Sequence, residues 1–499
     1  MSLAGARIRD YEVWGRLGQG GMSELWLAKQ TVLNLPVVIK TLRRDSAGLD
    51  STGVARLLNE ARVMVRITSS KVVRALDAGV HEGTPYVVLE YVDGLDLAEL
   101  DARRRASLGV GLPLWFCAHV MGQVCLALHA SHQTGILHRD VKPSNVFGGA
   151  ETGIRLGDFG IAVPHLDVES MRDISGTFRF MPPEQMRGEP LDRAADIYAA
   201  GATAFDLRYG SPPFLTIDEV LDLRNDPPFP EPEGPHEAYF QHVVGHMLEK
   251  VPGKRPKDTH DLARHFRSID QALRPHRRVA FLRQSKAPGR HAFQVGTCRV
   301  EIETGDLAEQ EVDGIVNSAH DHLRMDGGCG AALRAVGGMG VEEEALAHGQ
   351  QALGACVATS AGKLRARKVL HAVSAWNEIS CVARAAHRTL LLADELGLRS
   401  LAIPALGTGA ARVSVETCAN AIATTLRWHL MLGGTGLSRV KFVLRDASTT
   451  ERFAEVVEQA LRGDRAAGPA VDIGRPAVLE AQPEAPTQVE TDPDDGVDR

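Results

Sequence analysis

One stretch concentrates side chains able to do chemistry: His138-Arg139-Asp140-Val141-Lys142-Pro143-Ser144-Asn145, followed by Asp158-Phe159-Gly160. Phosphoryl transfer needs little covalent help from a protein. It needs positioning and neutralisation of charge around the γ-phosphate. An aspartate such as Asp140 can accept the proton of an attacking hydroxyl, and a lysine such as Lys142 can neutralise the transferring group. Mg²⁺ takes oxygen ligands, typically a carboxylate, a side-chain amide and phosphate itself. Asp158 and Asn145 supply the first two types.

Upstream lies Gly18-Gln19-Gly20-Gly21-Met22-Ser23-Glu24-Leu25. Its glycines let backbone N–H groups approach phosphates with no Cβ in the way. Alone, such a run is weak evidence, since most Gly-rich turns are only turns. Val37-Val38-Ile39-Lys40 reads as a strand whose alternation puts Val38 and Lys40 on one face. Val38 is then placed to pack on an adenine and Lys40 to reach phosphates. Val54, Leu57, Leu58, Ala61 and Val65 recur at helical spacing. Glu60 lies in that helix, a partner for Lys40.

Taken together, Tyr11 to Leu273 resembles the eukaryotic-type protein kinases in their bacterial form, with Gly20-Gly21-Met22-Ser23 closest to bacterial members. The resemblance extends to Met181-Pro182-Pro183-Glu184, Asp196-Ile197-Tyr198 and Lys254-Arg255-Pro256. It implies a bilobal fold and an ATP- and Mg²⁺- (or Mn²⁺-) dependent transfer to protein Ser or Thr. Lys142 is the Ser/Thr-specific form, and Thr177 matches the substrate-proximal threonine. Glu184 is expected to pair with Arg255, and Asp196 to anchor the catalytic loop. Leu17, Leu25, Val38 and Phe147 are expected to wall the adenine pocket, with Leu89 as gatekeeper and Glu90 to Val92 as the hinge. Arg139 suggests control by a phosphate on the segment from Gly160 to Glu184, whose hydroxyls are Ser170, Ser175 and Thr177; the family's run of threonines is missing, and the alternative is that Asp167, Glu169 and Asp173 mimic that charge. Departures are mild: Ser23 stands at the third glycine, Leu25 for valine, Val38 for alanine and Pro182 for alanine.

A second region carries its own pattern. Arg299–Glu303, Val312–Asn317, Val369–Val373 and Leu401–Pro404 read as strands alternating with helical segments, an α/β arrangement whose ligands gather at strand carboxyl ends. Gly327-Gly328-Cys329-Gly330 and Ala405-Leu406-Gly407-Thr408-Gly409-Ala410 are turns able to offer N–H groups to a diphosphate, although either one alone reads first as a tight strand–helix connection. Phe293 to Leu461 resembles a macro domain, the ADP-ribose-binding fold. By that resemblance Asp306 receives the adenine amino group, and Asn317 sits near the distal ribose. Gly327, Gly328 and Cys329 line one side of the diphosphate; Gly407, Thr408, Gly409 and Ala410 line the other. His320 stands where hydrolysing members carry a second asparagine. Ala411-Arg412 replaces an aromatic–glycine pair, and Arg324-Met325-Asp326 part of a glycine run. These departures favour binding of ADP-ribose, a related metabolite or an ADP-ribosylated protein over turnover.

The elements that must position these groups fit the chain as a whole. It has 499 residues, 44% hydrophobic and 24% charged, with a formal net charge of −7. That length allows roughly three domains, and the mild acidity argues against nucleic-acid partners. No stretch approaches about 18 uninterrupted apolar residues, so no membrane span is expected. The first residues lack a secretion pattern, and seven scattered cysteines show no CxxC spacing. A cytoplasmic setting with no disulfide framework follows. The expected fold class is multidomain α+β and α/β. Residues 1–275 form a kinase domain, 276–290 a basic linker, 291–463 a three-layer α/β/α macro domain and 464–499 a disordered acidic, Pro-rich tail. Thr487 and Thr491 in that tail, each with an acid three residues on, could dock on a phosphothreonine-reading domain. His242 and His246 lack the intervening glutamate of a zinc motif and read as ordinary helix residues. The alternatives are a pseudokinase scaffold with an ADP-ribose reader, and a kinase that also hydrolyses ADP-ribosyl bonds.

Overall fold

The computed structural model describes residues 3–19, 23–42, 51–149, 153–159, 177–277, 281–287, 289–376 and 379–463. Gly20, Gly21, Met22 and the tail lie outside these residues, as do the side chains of Gln19, Glu60 and Thr177.

The first lobe is built on a six-stranded antiparallel sheet. Its strands are β1 (Arg7–Ile8), β2 (Tyr11–Gln19), β3 (Ser23–Gln30), β4 (Leu35–Leu42), β5 (Ala75–His81) and β6 (Thr84–Glu90), in the order β1-β2-β3-β4-β6-β5. Helix α1 (Ser51–Met64) packs on it through Leu57, Ala61 and Met64. The second lobe is mostly helical: α2 (Leu97–Leu108), α3 (Leu114–Gln133), α4 (Pro183–Met186), α5 (Arg193–Tyr209), α6 (Ile217–Leu221), α7 (Pro235–Met247) and α8 (Thr259–Arg277). A small sheet of β7 (Gly94–Asp96), β8 (Val146–Gly149) and β9 (Gly153–Leu156) lies under the cleft. Asp96 caps α2 by accepting from the Glu99 N–H at 2.9 Å. Helix α3 alone, among the described residues, is long and apolar enough to cross a membrane. Its most apolar 18-residue window is 67% buried, because α5, α8 and β9 cover it.

The C-terminal unit is a mixed eight-stranded sheet, ordered β10-β11-β12-β19-β18-β13-β15-β14. The strands are β10 (Phe281–Ala287), β11 (Arg290–Val295), β12 (Cys298–Thr304), β13 (Gly314–Ala319), β14 (Cys356–Ser360), β15 (Lys368–Val373), β18 (Ser400–Ile403) and β19 (Arg439–Leu444). A short hairpin, β16 (Ala375–Trp376) with β17 (Ile379–Ser380), follows β15. The five central strands from β12 to β15 run parallel. Alternation divides their side chains between two cores. Val316, Leu370, Leu401 and Phe442 face α11 (Val382–Glu395), α12 (Val415–Leu432) and α13 (Ala447–Arg462). Ile315, Val369, Ala402 and Val443 face α9 (Gly328–Gly337) and α10 (Met339–Ala347). The three layers match the expected α/β/α class.

The expected linker over 276–290 differs from what is found. Helix α8 runs through Arg277, and Phe281–Ala287 pairs with β11 as the edge of the second sheet. Phe281 stacks on Phe293 at 5.5 Å. Of the basic residues that suggested a hinge, Arg277 ends helix α8, while Arg283 and Lys286 belong to a sheet edge, where charge discourages further strand pairing. Arg283 pairs with Glu458, and Arg290 reaches Glu303 at 3.9 Å.

Candidate functional site

The first cleft lies between the lobes. Register pairs Lys40 of β4 with Leu25 of β3 and Val87 of β6, and Val38 with Leu27 and Leu89. Lys40 Nζ sits 3.2 Å from Asp158 Oδ1. The lysine charge first, then its hydrogen bond, holds the Asp158 carboxyl below its ordinary range. Leu89 and Val92 are buried, and Phe147 and Val38 pack against the same core.

The catalytic loop is organised by backbone shape and buried charge. Arg139 and Asp158 both take left-handed φ values, +67° and +53°, a conformation non-glycine residues seldom adopt. Asp196, fully buried on α5, accepts from the backbone N–H groups of His138 at 2.8 Å and Arg139 at 2.7 Å, and faces His132 Nε2 at 2.7 Å. Burial alone would raise its carboxyl. The His132 and His138 contacts and the Arg139 N–H outweigh that and hold it low. Asp140 lies 2.8 Å from Lys142 Nζ. Asn145 Nδ2 donates to Asp140 Oδ2 at 2.9 Å and to Asp140 O at 2.8 Å. With its NH₂ so engaged, the Asn145 carbonyl oxygen remains for a cation beside Asp158. The donor set, one amide oxygen and one carboxylate, suits Mg²⁺. Below the loop Glu184 and Arg255 form a bidentate pair at 2.6 and 2.9 Å, both buried, with the guanidinium over Tyr198. Asp140, Lys142, Asn145, Asp158 and Lys40 thus share one cleft.

The second cleft lies at the carboxyl ends of the parallel strands. Asp306 follows β12, is exposed, and accepts from Ala308 N–H through Oδ1 at 2.8 Å. Gly327 and Gly328 begin α9 in open space, and Gly407 holds a left-handed φ of +73°. Gly409 and Ala410 are exposed, and Thr408 donates to Ala405 O at 2.9 Å. Asn317 is placed differently from a ligand-facing residue: it is 1% exposed. Cys329 Sγ donates to its Oδ1 at 3.3 Å, its Nδ2 lies 3.1 Å from His371 Nδ1, and His371 Nε2 faces Thr359 Oγ1 at 3.0 Å. Burial raises the Cys329 thiol and lowers His371 to about 4, so every member of this chain is neutral near pH 7. His320 is exposed, with Nδ1 2.6 Å from Asp321. Among the described residues no group of three His, Cys, Asp or Glu is arranged to hold a metal.

Ser318 escaped the sequence reading. Its Oγ accepts from the Gly407 N–H at 3.1 Å, and its own N–H reaches Cys329 Sγ at 3.3 Å. It therefore ties the two glycine turns together. A lone serine between Asn317 and Ala319 carries no local signal of this.

Residues 11–266 match the protein kinase domain family, and residues 316–422 match the macro domain family. The serine/threonine-protein kinase PknB of Mycobacterium leprae is 30% identical over 331 residues, covering 64% of this chain and 51% of that protein. PknB of Mycobacterium tuberculosis is 33% identical over 270 residues, covering 52% and 42%. The crystal structure of the Mycobacterium tuberculosis PknI kinase domain aligns with a TM-score of 0.43 and 26% identity, over 53% of this chain and 98% of that one. The chain spans about half the length of the curated relatives it matches.

Proposed function

Because this chain belongs to the protein kinase family and carries a macro domain in its C-terminal half, we propose that it transfers the γ-phosphoryl group of ATP to Ser or Thr of protein substrates while its second cleft binds ADP-ribose or an ADP-ribosylated partner. The observation that carries the first part is the constellation of Asp140, Lys142, Asn145, Asp158 and Lys40 in one cleft, with separations of 2.8 to 3.2 Å between partners.

In this reading Asp140 accepts the proton of the substrate hydroxyl as oxygen attacks phosphorus. Lys142, beside it, neutralises the transferring group, and Lys40 steadies the phosphates while holding Asp158 ionised. Asn145 and Asp158 would hold Mg²⁺, which supplies charge neutralisation at the phosphates when bound. Leu89 closes the back of the adenine pocket, and the hinge backbone from Glu90 to Val92 meets the base. The second cleft offers backbone N–H groups, with Asp306 left for an adenine amino group. Asn317 is already engaged by Cys329 and His371, which supports binding over hydrolysis.

Lys40→Met tests the kinase half. Transfer to the protein itself and to a generic substrate is expected to fall by about a hundredfold or more, and unchanged transfer would reject the reading. Calorimetric titration of the full chain with ADP-ribose tests the second half; no heat at millimolar ligand would reject it.

A further inference from the structure

The two domains do not hang from a tether. They share a core, and the shared part touches both kinase lobes. Leu391 and Leu432 of the macro domain belong to the same buried cluster as α3 and the kinase core. Trp428 stacks on Trp115 at 6.1 Å and meets Phe116 edge-on at 5.7 Å. On the first lobe, Leu27 and the hinge residue Tyr91 form one apolar cluster with Ala319, Leu323 and Leu353 of the macro domain. Trp14, Leu17 and Val38 pack against that cluster. A Cβ at Gly15 would lie 3.5 Å from Leu353.

The polar contacts follow the helix dipoles. Asp93, immediately after the hinge, accepts from the backbone N–H groups of Ala383 and Arg384 at 3.0 Å each, at the N-terminus of α11. Arg104 of α2, 1% exposed, donates to Leu432 O and Gly433 O at 3.1 and 3.0 Å, at the C-terminus of α12. An acid meets the positive end of one helix and a base the negative end of another. Arg388 forks onto Glu99 at 2.7 and 2.8 Å, and Arg103 meets Glu395 at 2.7 Å.

We propose that the macro domain is a working part of the nucleotide cleft: a strap across the hinge that fixes the angle between the lobes, with Asp93, Glu99, Arg104, Leu353 and Arg388 as positioning residues. The inference rests on the kinase reading. Kinase lobes pivot at the hinge, and a rigid body packed on both sides of a pivot restrains it. Lobe opening is the step that frees a bound nucleotide, so the strap slows nucleotide release. The segment from Asn317 to Cys329, running from the end of β13 into α9, carries both second-cleft residues and the seam residues Ala319 and Leu323, which puts the two clefts in physical contact through one segment.

The test uses the full chain and fluorescent mant-ADP, with release timed after adding excess ATP. Glu99→Arg and Arg388→Glu singly are expected to speed release about three- to tenfold and to raise hydrogen exchange of the Tyr91–Leu95 amides. The double reversal Glu99→Arg/Arg388→Glu restores the pair and is expected to return both readouts toward the parent. Release and hinge exchange unchanged in the single variants would overturn the strap. So would a double variant as fast as the singles. A parent chain that holds no mant-ADP would instead count against the kinase reading, and hinge exchange alone would then decide the strap by the same criteria.

Discussion

On the proposed reading the two clefts would meet phosphate in opposite ways. The first is built from full charges in pairs: Lys40 with Asp158, Asp140 with Lys142, and Asp196 held below its ordinary range under the loop. The second is built from backbone N–H groups, glycine turns and a neutral chain of Cys329, Asn317, His371 and Thr359. The contrast suits the tasks proposed for them. Moving a phosphoryl group creates charge that must be met in place by preorganised charge. Holding a diphosphate asks only for oriented donors and tolerates weak charge.

Substitutions that exploit the contrast should differ in size. The largest effect belongs to the charged side. Glu184→Ala leaves the Arg255 guanidinium buried without its counter-charge, held only by backbone carbonyls, and the kinase domain should lose about 3–5 kcal/mol of stability in chemical denaturation. A loss below about 1 kcal/mol would mean the pair is not buried as described. On the neutral side Asn317→Ala removes an amide that satisfies Cys329 and His371, and should cost about 1–3 kcal/mol. Gly407→Ala forces a side chain into a left-handed turn, at about 1–2 kcal/mol, and should weaken ADP-ribose binding. Equal affinity would remove Gly407 from the second cleft.

The smallest effects are pH-dependent and of opposite sign. His371 is lowered from 6.5 to about 4 by burial, so the unfolded chain binds its proton first. Its contribution is present above pH 6.5 and is lost as pH falls toward 4. Asp93 is raised from 3.8 to about 6, by burial that outweighs its N–H donors, the Tyr91 hydroxyl and Arg384. The folded chain then binds the proton first, and stability from this group declines as pH rises from 4 to 6. Relative to Asp93→Asn, the parent should gain melting temperature as pH is lowered from 7 to 5. A constant difference would show that Asp93 stays ionised at the seam.

The kinase cleft was legible because its residues come in short contiguous strings. Asp140, Lys142 and Asn145 are fixed by one loop, and the Lys40 strand by alternation. The pairing of Glu184 with Arg255 spans 71 residues and was reachable only through family resemblance. The second cleft was legible as glycine turns after strands. Asn317 in its core could not be read, since nothing local announces that His371 and Cys329 close around it. The edge strand Phe281–Ala287 looked like a linker because edge strands and linkers share basic, sparsely apolar composition. The seam is the least legible feature of all. Asp93, Arg104 and Arg388 are ordinary charged residues until tertiary packing brings helix ends to meet them, almost 300 residues away or more.

The most direct measurement of the central claim is transfer of label from γ-labelled ATP with Mg²⁺ in the parent and in Asp140→Asn. The account predicts label on Ser or Thr of the parent, and a loss of about 10²- to 10⁴-fold in the variant with nucleotide still bound. Equal label in both proteins, or a parent that binds ATP and transfers nothing, would contradict it.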